Sequence, residues 1–125
     1  MEYQNNLDKV VGGLSSLAFV KAVILFGSRV NGNAREDSDI DIAVLTEKIS
    51  RDQEAKILGF SSENFDISIF DCLPLIIQFR IIKNGNMIFC RDEDYYHEVK
   101  FNVIRKYLDF SVFINNFYKK VIKNV

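Results

Sequence analysis

Three aspartates carry the chemistry available to this sequence. In AVILFGSRVNGNAREDSDIDIAVL, residues 22–45, Asp39 and Asp41 alternate with isoleucine as an apolar run begins, and FDISIF, residues 65–70, sets Asp66 in the same alternation. Successive side chains of a strand point to opposite faces, so Asp39 and Asp41 share one face and Ile40 and Ile42 the other. Two carboxylates beside an apolar core are costly unless a cation compensates them, and a divalent metal would do so. If the strand at 65–70 pairs beside the strand at 39–45, Asp66 joins the pair, and the three carboxylates suit two magnesium ions bridged to phosphates.

A phosphate site precedes them in the chain. Backbone N–H groups at a turn around Gly27 and Ser28 favour an anion, glycine permits close approach, and the Ser28 hydroxyl can donate to a phosphate oxygen. Gly27-Ser28 alone reads as an ordinary turn; its spacing to the aspartates gives it meaning. Together the pieces describe nucleotidyl transfer by in-line displacement. Asp66 would serve the acceptor hydroxyl and take its proton, and Arg29 would offset phosphate charge or form a plain salt bridge. Asp66 is preferred to Asp71 and Glu63 for the third carboxylate, and Glu36 and Asp37 read as solvated loop.

The elements that must position these residues follow from periodicity. Leu7, Val10, Val11, Leu14 and Leu17 predict a helix over 3–18 that Gly12-Gly13 weakens, and Lys21–Phe26 predicts a strand ended by the Gly27-Ser28 turn, with Gly32 and Asn33 closing the next segment. Thr46 is the expected cap of a helix over 47–59. Asp71 is the expected cap of a helix over 73–83 with Pro74 in its first turn and Gly85 at its end, before a short strand at 87–90. From Asp92 onward helical spacing runs to the end, acidic at the start and basic at the finish, as the helix dipole favours. That tail presents Phe101, Ile104, Leu108 and Val112, and also Val103, Phe110, Ile114, Phe117 and Val121, more apolar surface than one stripe, so it is a candidate face for a homo- or hetero-oligomer. Tyr95 and Tyr96 should pack the helix and His97 should be exposed.

Composition excludes much else. The 125 residues predict one domain, 1–125, and 48% apolar with 13% aromatic residues suffice for one core. Lys+Arg 16 against Asp+Glu 17, net charge −1, gives no basic field for direct nucleic-acid binding. The start lacks the order of a secretory signal and no apolar run is long enough for a membrane span, so a cytoplasmic location is expected. Cys72 and Cys90, outside any CxxC pattern, read as reduced core thiols.

GSRVNGNAREDSDID fits the signature Gly-Ser, ten residues, Asp-x-Asp, and resembles the minimal nucleotidyltransferases of the DNA polymerase beta superfamily, more closely the MntA-type antitoxins that partner HEPN ribonuclease toxins. FDISIF and PLIIQFRIIKNGNMIFCRD stand where that family has counterparts. The resemblance implies an α/β (α+β) fold, a small mixed β-sheet flanked by helices and a long C-terminal helix, with Gly27, Ser28, Asp39, Asp41 and Asp66 in the roles above. It also implies magnesium, ATP as substrate, and transfer of AMP to a tyrosine hydroxyl of a HEPN toxin encoded nearby. Asn31 stands where that family often has a second basic residue. The alternatives are an antitoxin that neutralises by binding alone, and a transferase acting on a small-molecule hydroxyl such as an aminoglycoside.

Overall fold

The structure is a computed structural model, and it describes residues 2–27 and 40–123. Four strands form one sheet in the order β3-β2-β1-β4: β1 is Val20–Phe26, β2 Ile40–Thr46, β3 Phe65–Ile69 and β4 Asn86–Cys90. The helices are α1, Glu2–Ser15; α2, Arg51–Leu58; α3, Leu75–Asn84; and α4, Glu93–Lys123, with a 3-10 turn at Phe70–Cys72. β1 is antiparallel to β2 and to β4, whereas β3 runs parallel to β2. Parallel neighbours need a crossover, and α2 supplies it.

The central strands are apolar on both sides, and each side has its own core. Val23, Leu25, Ile40, Ile42, Val44, Phe65, Ile67 and Ile69 pack with Leu7 and Leu14 of α1 and Ile57 of α2. Ala22, Ile24, Ala43 and Leu45 pack on the opposite face with Phe70, Ile81 of α3 and Val103 of α4. The register shift between Val20 and Ala22 is why Val20 shares a face with Val23 although the two lie three residues apart. β3 keeps clean alternation: Phe65, Ile67 and Ile69 are buried, whereas Asp66 is exposed and Ser68 is half-buried.

Local expectations and outcome differ where packing or turn chemistry prevails. Helix α1 runs unbroken through Gly12 and Gly13 to Ser15, because burial of Leu7 and Leu14 outweighs the poor helix propensity of glycine. Thr46 is no cap; it is the buried last residue of β2, and Ser50 caps α2 through a capping box with Gln53. Asp71 does not cap α3 either. Leu73 is held extended before Pro74, which separates the 3-10 turn from a helix starting at Leu75. Cys72 is exposed rather than in the core, since it falls in that surface turn, and Cys90 is partly buried; both are free thiols. Asp92 does begin the last helix, accepting the Tyr95 N–H at 3.0 Å. Tyr95 and Tyr96 pack against the second core and His97 is exposed, as expected. No helix among the described residues is long and apolar enough to cross a membrane.

Candidate functional site

The candidate residues that the structure describes meet at one end of the sheet. There β1 ends and β2 and β3 begin. Asp41 is the register partner of Phe26 on one side and of Asp66 on the other. Asp41 lies between Ile40 and Ile42, and Asp66 between Phe65 and Ile67, all four in the core under α1 and α2. Both carboxylates therefore leave the sheet on its opposite face, toward α3 and α4, one strand spacing of about 4.8 Å apart. Asp41 is half-buried and Asp66 exposed.

Gly27 completes the strip. Its φ of 92° lies in the region that side-chain-bearing residues rarely adopt. A methyl group at this position would overlap Oδ2 of Asp41 and stand 3.1 Å from its Cγ. Glycine is thus needed twice, to turn the chain as β1 ends and to leave room for the Asp41 carboxylate. Ser28, Arg29, Asn31 and Asp39 lie outside the described residues, as do Gly32 and Asn33. The structure thus brings together Gly27, Asp41 and Asp66 of the six predicted site residues.

The competing third carboxylate is placed elsewhere. Asp71 follows the far end of β3, where partial burial pushes its carboxyl above the usual range and the Lys106 charge opposes that rise. Asp66, five residues earlier and in register with Asp41, is the one positioned beside it.

One set of site residues escaped the sequence reading. A cavity of about 320 Å³ adjoins Gly27, lined among the described residues by Phe26, Gly27, Ile77, Arg80, Ile81, Asn84 and Gly85. Ile77, Arg80, Ile81 and Asn84 are spaced i, i+3, i+4, i+7, one helical face, which was the available signal. The end of α3, capped by the Gly85 N–H donating to the Ile81 carbonyl at 2.8 Å, packs tightly on β1, since a Cβ on Gly85 would come within 2.7 Å of Ile24 Cγ2. The start of α3 is tied by Gln78 Nε2 donating to the Phe70 carbonyl, and its outer side by Phe79 stacked on Tyr107 of α4 at 3.9 Å.

A polymerase beta nucleotidyltransferase family model matches residues 8–94, spanning β1 to the start of α4. The chain belongs to this family. The nucleotidyltransferases of this family work on nucleotide substrates with divalent metal. Over 70 residues the chain is 39% identical to a Methanocaldococcus jannaschii protein whose name describes it as a protein adenylyltransferase. That match covers 56% of each sequence, so the chain spans about half the length of this curated relative. Among solved structures, it is similar to a chain in the complex of a tri-AMPylated Shewanella oneidensis HEPN toxin with its MNT antitoxin. The TM-score is 0.66 at 17% identity, covering 95% of this chain and 98% of that one. A nucleotidyltransferase from Sulfolobus solfataricus aligns at a TM-score of 0.53 and 25% identity over 70% of this chain and 79% of its own. The toxin–antitoxin likeness shows that the nucleotidyltransferase fold extends through the long C-terminal helix.

The Asp41 and Asp66 donor set fits a hard divalent cation. Two aspartates share a face on adjacent strands, and oxygen ligands of this kind suit magnesium, which takes one or two carboxylates and keeps several waters. Among the described residues no group of three His, Cys, Asp or Glu is placed to hold a metal, and Asp39 is not among them.

Proposed function

We propose that this nucleotidyltransferase transfers AMP from ATP to a tyrosine hydroxyl of a HEPN-type toxin, releasing pyrophosphate and silencing the toxin. The observation that carries the reading is the register pairing of Asp41 with Asp66 on parallel strands, with Gly27 moulded around the Asp41 carboxylate. Asp41 and Asp66, together with Asp39, would hold magnesium, which when bound supplies positive charge to the phosphates and acidifies an acceptor hydroxyl. Gly27 leaves the backbone open to a phosphate oxygen, and Ser28 and Arg29 follow it in the chain as further phosphate contacts. Asp66, on the exposed edge strand, faces the side from which an acceptor arrives and is the base for its proton. Support for a protein acceptor comes from the name of the M. jannaschii relative and from the AMPylated toxin in the structural neighbour.

The test is to incubate the protein with ATP, Mg²⁺ and a helical R-x4-H protein encoded beside it, then weigh that protein by intact mass. Gain of one or more AMP units, lost with Asp41→Asn, is the expected result. Full neutralisation of the toxin by Asp41→Asn with no mass gain would overturn it in favour of a second reading, neutralisation by binding alone. That second reading draws on the outer half of α4, where Phe110, Val112, Phe113, Phe117 and Ile122 are exposed.

A further inference from the structure

The strand order sets Asp66, Asp41, Gly27 and the α3 cavity in that sequence across one end of the sheet. This order has a chemical direction, given the reaction proposed above, on which the inference rests. In-line displacement aligns the attacking oxygen, the α-phosphorus and the leaving oxygen. The acceptor oxygen forms its bond to the α-phosphorus while the bond from that phosphorus to the oxygen bridging to the β-phosphate breaks. The electron pair stays on the bridging oxygen and the hydroxyl proton passes to Asp66. With the acceptor on the Asp66 side and the α-phosphorus over Asp41, the pyrophosphate departs toward Gly27 and past it.

We infer that the cavity between β1 and α3 is the receptacle for the leaving pyrophosphate, with Arg80 as the residue that meets its developing charge. Among the described residues, Arg80 and Asn84 are the polar side chains of that lining, one helical turn apart on α3, and Gly27 is the wall shared with the aspartate strip. A guanidinium offers five N–H donors in a planar fork that matches phosphate oxygens in pairs, and the Asn84 amide offers two more. The helix is held in place because α3 is tied at its start to the Phe70 carbonyl and at its end packs so closely on β1 that a Cβ on Gly85 would come within 2.7 Å of Ile24 Cγ2. Arg80 itself is exposed, so replacing it removes the charge without opening the core. Charge held ready on the departing side stabilises the transition state without reorganisation.

The test uses the full chain with Mg²⁺ in isothermal titration, with inorganic pyrophosphate, AMP and ATP as probes, on wild type, Arg80→Ala, Arg80→Lys and Asn84→Ala. Arg80→Ala should weaken pyrophosphate about tenfold or more, the scale of a lost charge-assisted bond, and AMP less than about twofold. Arg80→Lys should recover part of the loss, because the charge returns without the fork, and Asn84→Ala should give the same pattern more weakly. Thermal melting confirms that each variant is folded. Equal weakening of AMP and pyrophosphate would place the nucleoside in this cavity and overturn the inference. So would unchanged pyrophosphate affinity in Arg80→Ala. A wild type that binds ATP while Arg80→Ala binds it equally well refutes this inference alone; a wild type that binds neither ATP nor pyrophosphate refutes the transferase reading with it.

Discussion

The two ends of the sheet are finished in opposite ways. At one end β1 begins, the other strands finish, and side chains bond the backbone there. Arg91 Nε donates to the Val20 carbonyl at 3.0 Å, its guanidinium also donates to the Ser15 carbonyl, and it lies 5.2 Å from the Phe89 ring centroid. Tyr95 donates its hydroxyl to the Thr46 carbonyl at 2.9 Å. At the other end a positive-φ glycine, two carboxylates and a cavity face outward. A bonded end holds the strands in register, and that register sets Asp41 beside Asp66; one end serves stability so that the other can serve chemistry.

The sharpest way to break this comparison is Asp41→Asn. The amide keeps the shape but removes a charge that the proposed metal site needs, so kcat/KM for AMP transfer should fall by about 100-fold or more, near 3 kcal/mol of transition-state stabilisation. Urea unfolding should shift by less than about 1 kcal/mol, because the half-buried aspartate lies at the rim of the core. A loss of stability as large as the loss of rate would mean that Asp41 is structural.

Gly27→Ala tests the same end through its backbone. A methyl group meets both an unfavourable φ and the Asp41 carboxylate, a strain of about 1–3 kcal/mol in stability. Displacing Asp41 should also lower transfer by about tenfold, roughly 1.4 kcal/mol. The measurement is kcat/KM alongside urea midpoint, and an alanine variant with wild-type values for both would show that the turn yields freely.

Arg91→Ala reads out the opposite end. Its bonds run to backbone carbonyls at a partly exposed site, so the variant should lose about 1–2 kcal/mol in urea unfolding. The kcat of the folded fraction should stay within about twofold of wild type. If kcat collapsed while stability held, the division between a structural and a chemical end would be wrong.

Much of this division is legible in the sequence, and the rest is hidden for physical reasons. The alternation in IDIAVL and FDISIF reveals two strands, and the aspartates at their starts reveal which face carries charge. Their parallel register is not local information; it depends on α2 crossing over the sheet, and only the structure shows Asp41 opposite Asp66. Arg80 and Asn84 were hidden because an amphipathic helix reads the same whether its polar residues face water or a site. Two caps were misjudged for a simpler reason. Thr46 and Asp71 are good cap types, but the box residues Ser50 and Gln53 lie four and seven positions on from Thr46, and Pro74 delays α3 past Asp71. The apolar surplus of the tail was readable, and the exposed outer half of α4 bears it out.

The smallest expected effect belongs to Tyr95 and has a pH signature. Burial, and after it the charges of Asp71, Glu47 and Glu98, push the Tyr95 phenol above its ordinary value; burial, and then Cys90, do the same for Tyr96. A phenol whose folded pKa is raised binds its proton in the folded chain after the unfolded chain has released it. Its contribution to stability is therefore whole below an unfolded pKa of about 10 and is lost as pH rises through the folded value. Tyr95→Phe removes one bond to the Thr46 carbonyl, costing about 1 kcal/mol at neutral pH by urea unfolding. Above pH of about 10 the same variant should lose stability less steeply than wild type, because one of the two raised phenols is gone. Parallel slopes for the two proteins would show that the Tyr95 hydroxyl does not hold the Thr46 carbonyl at the bonded end.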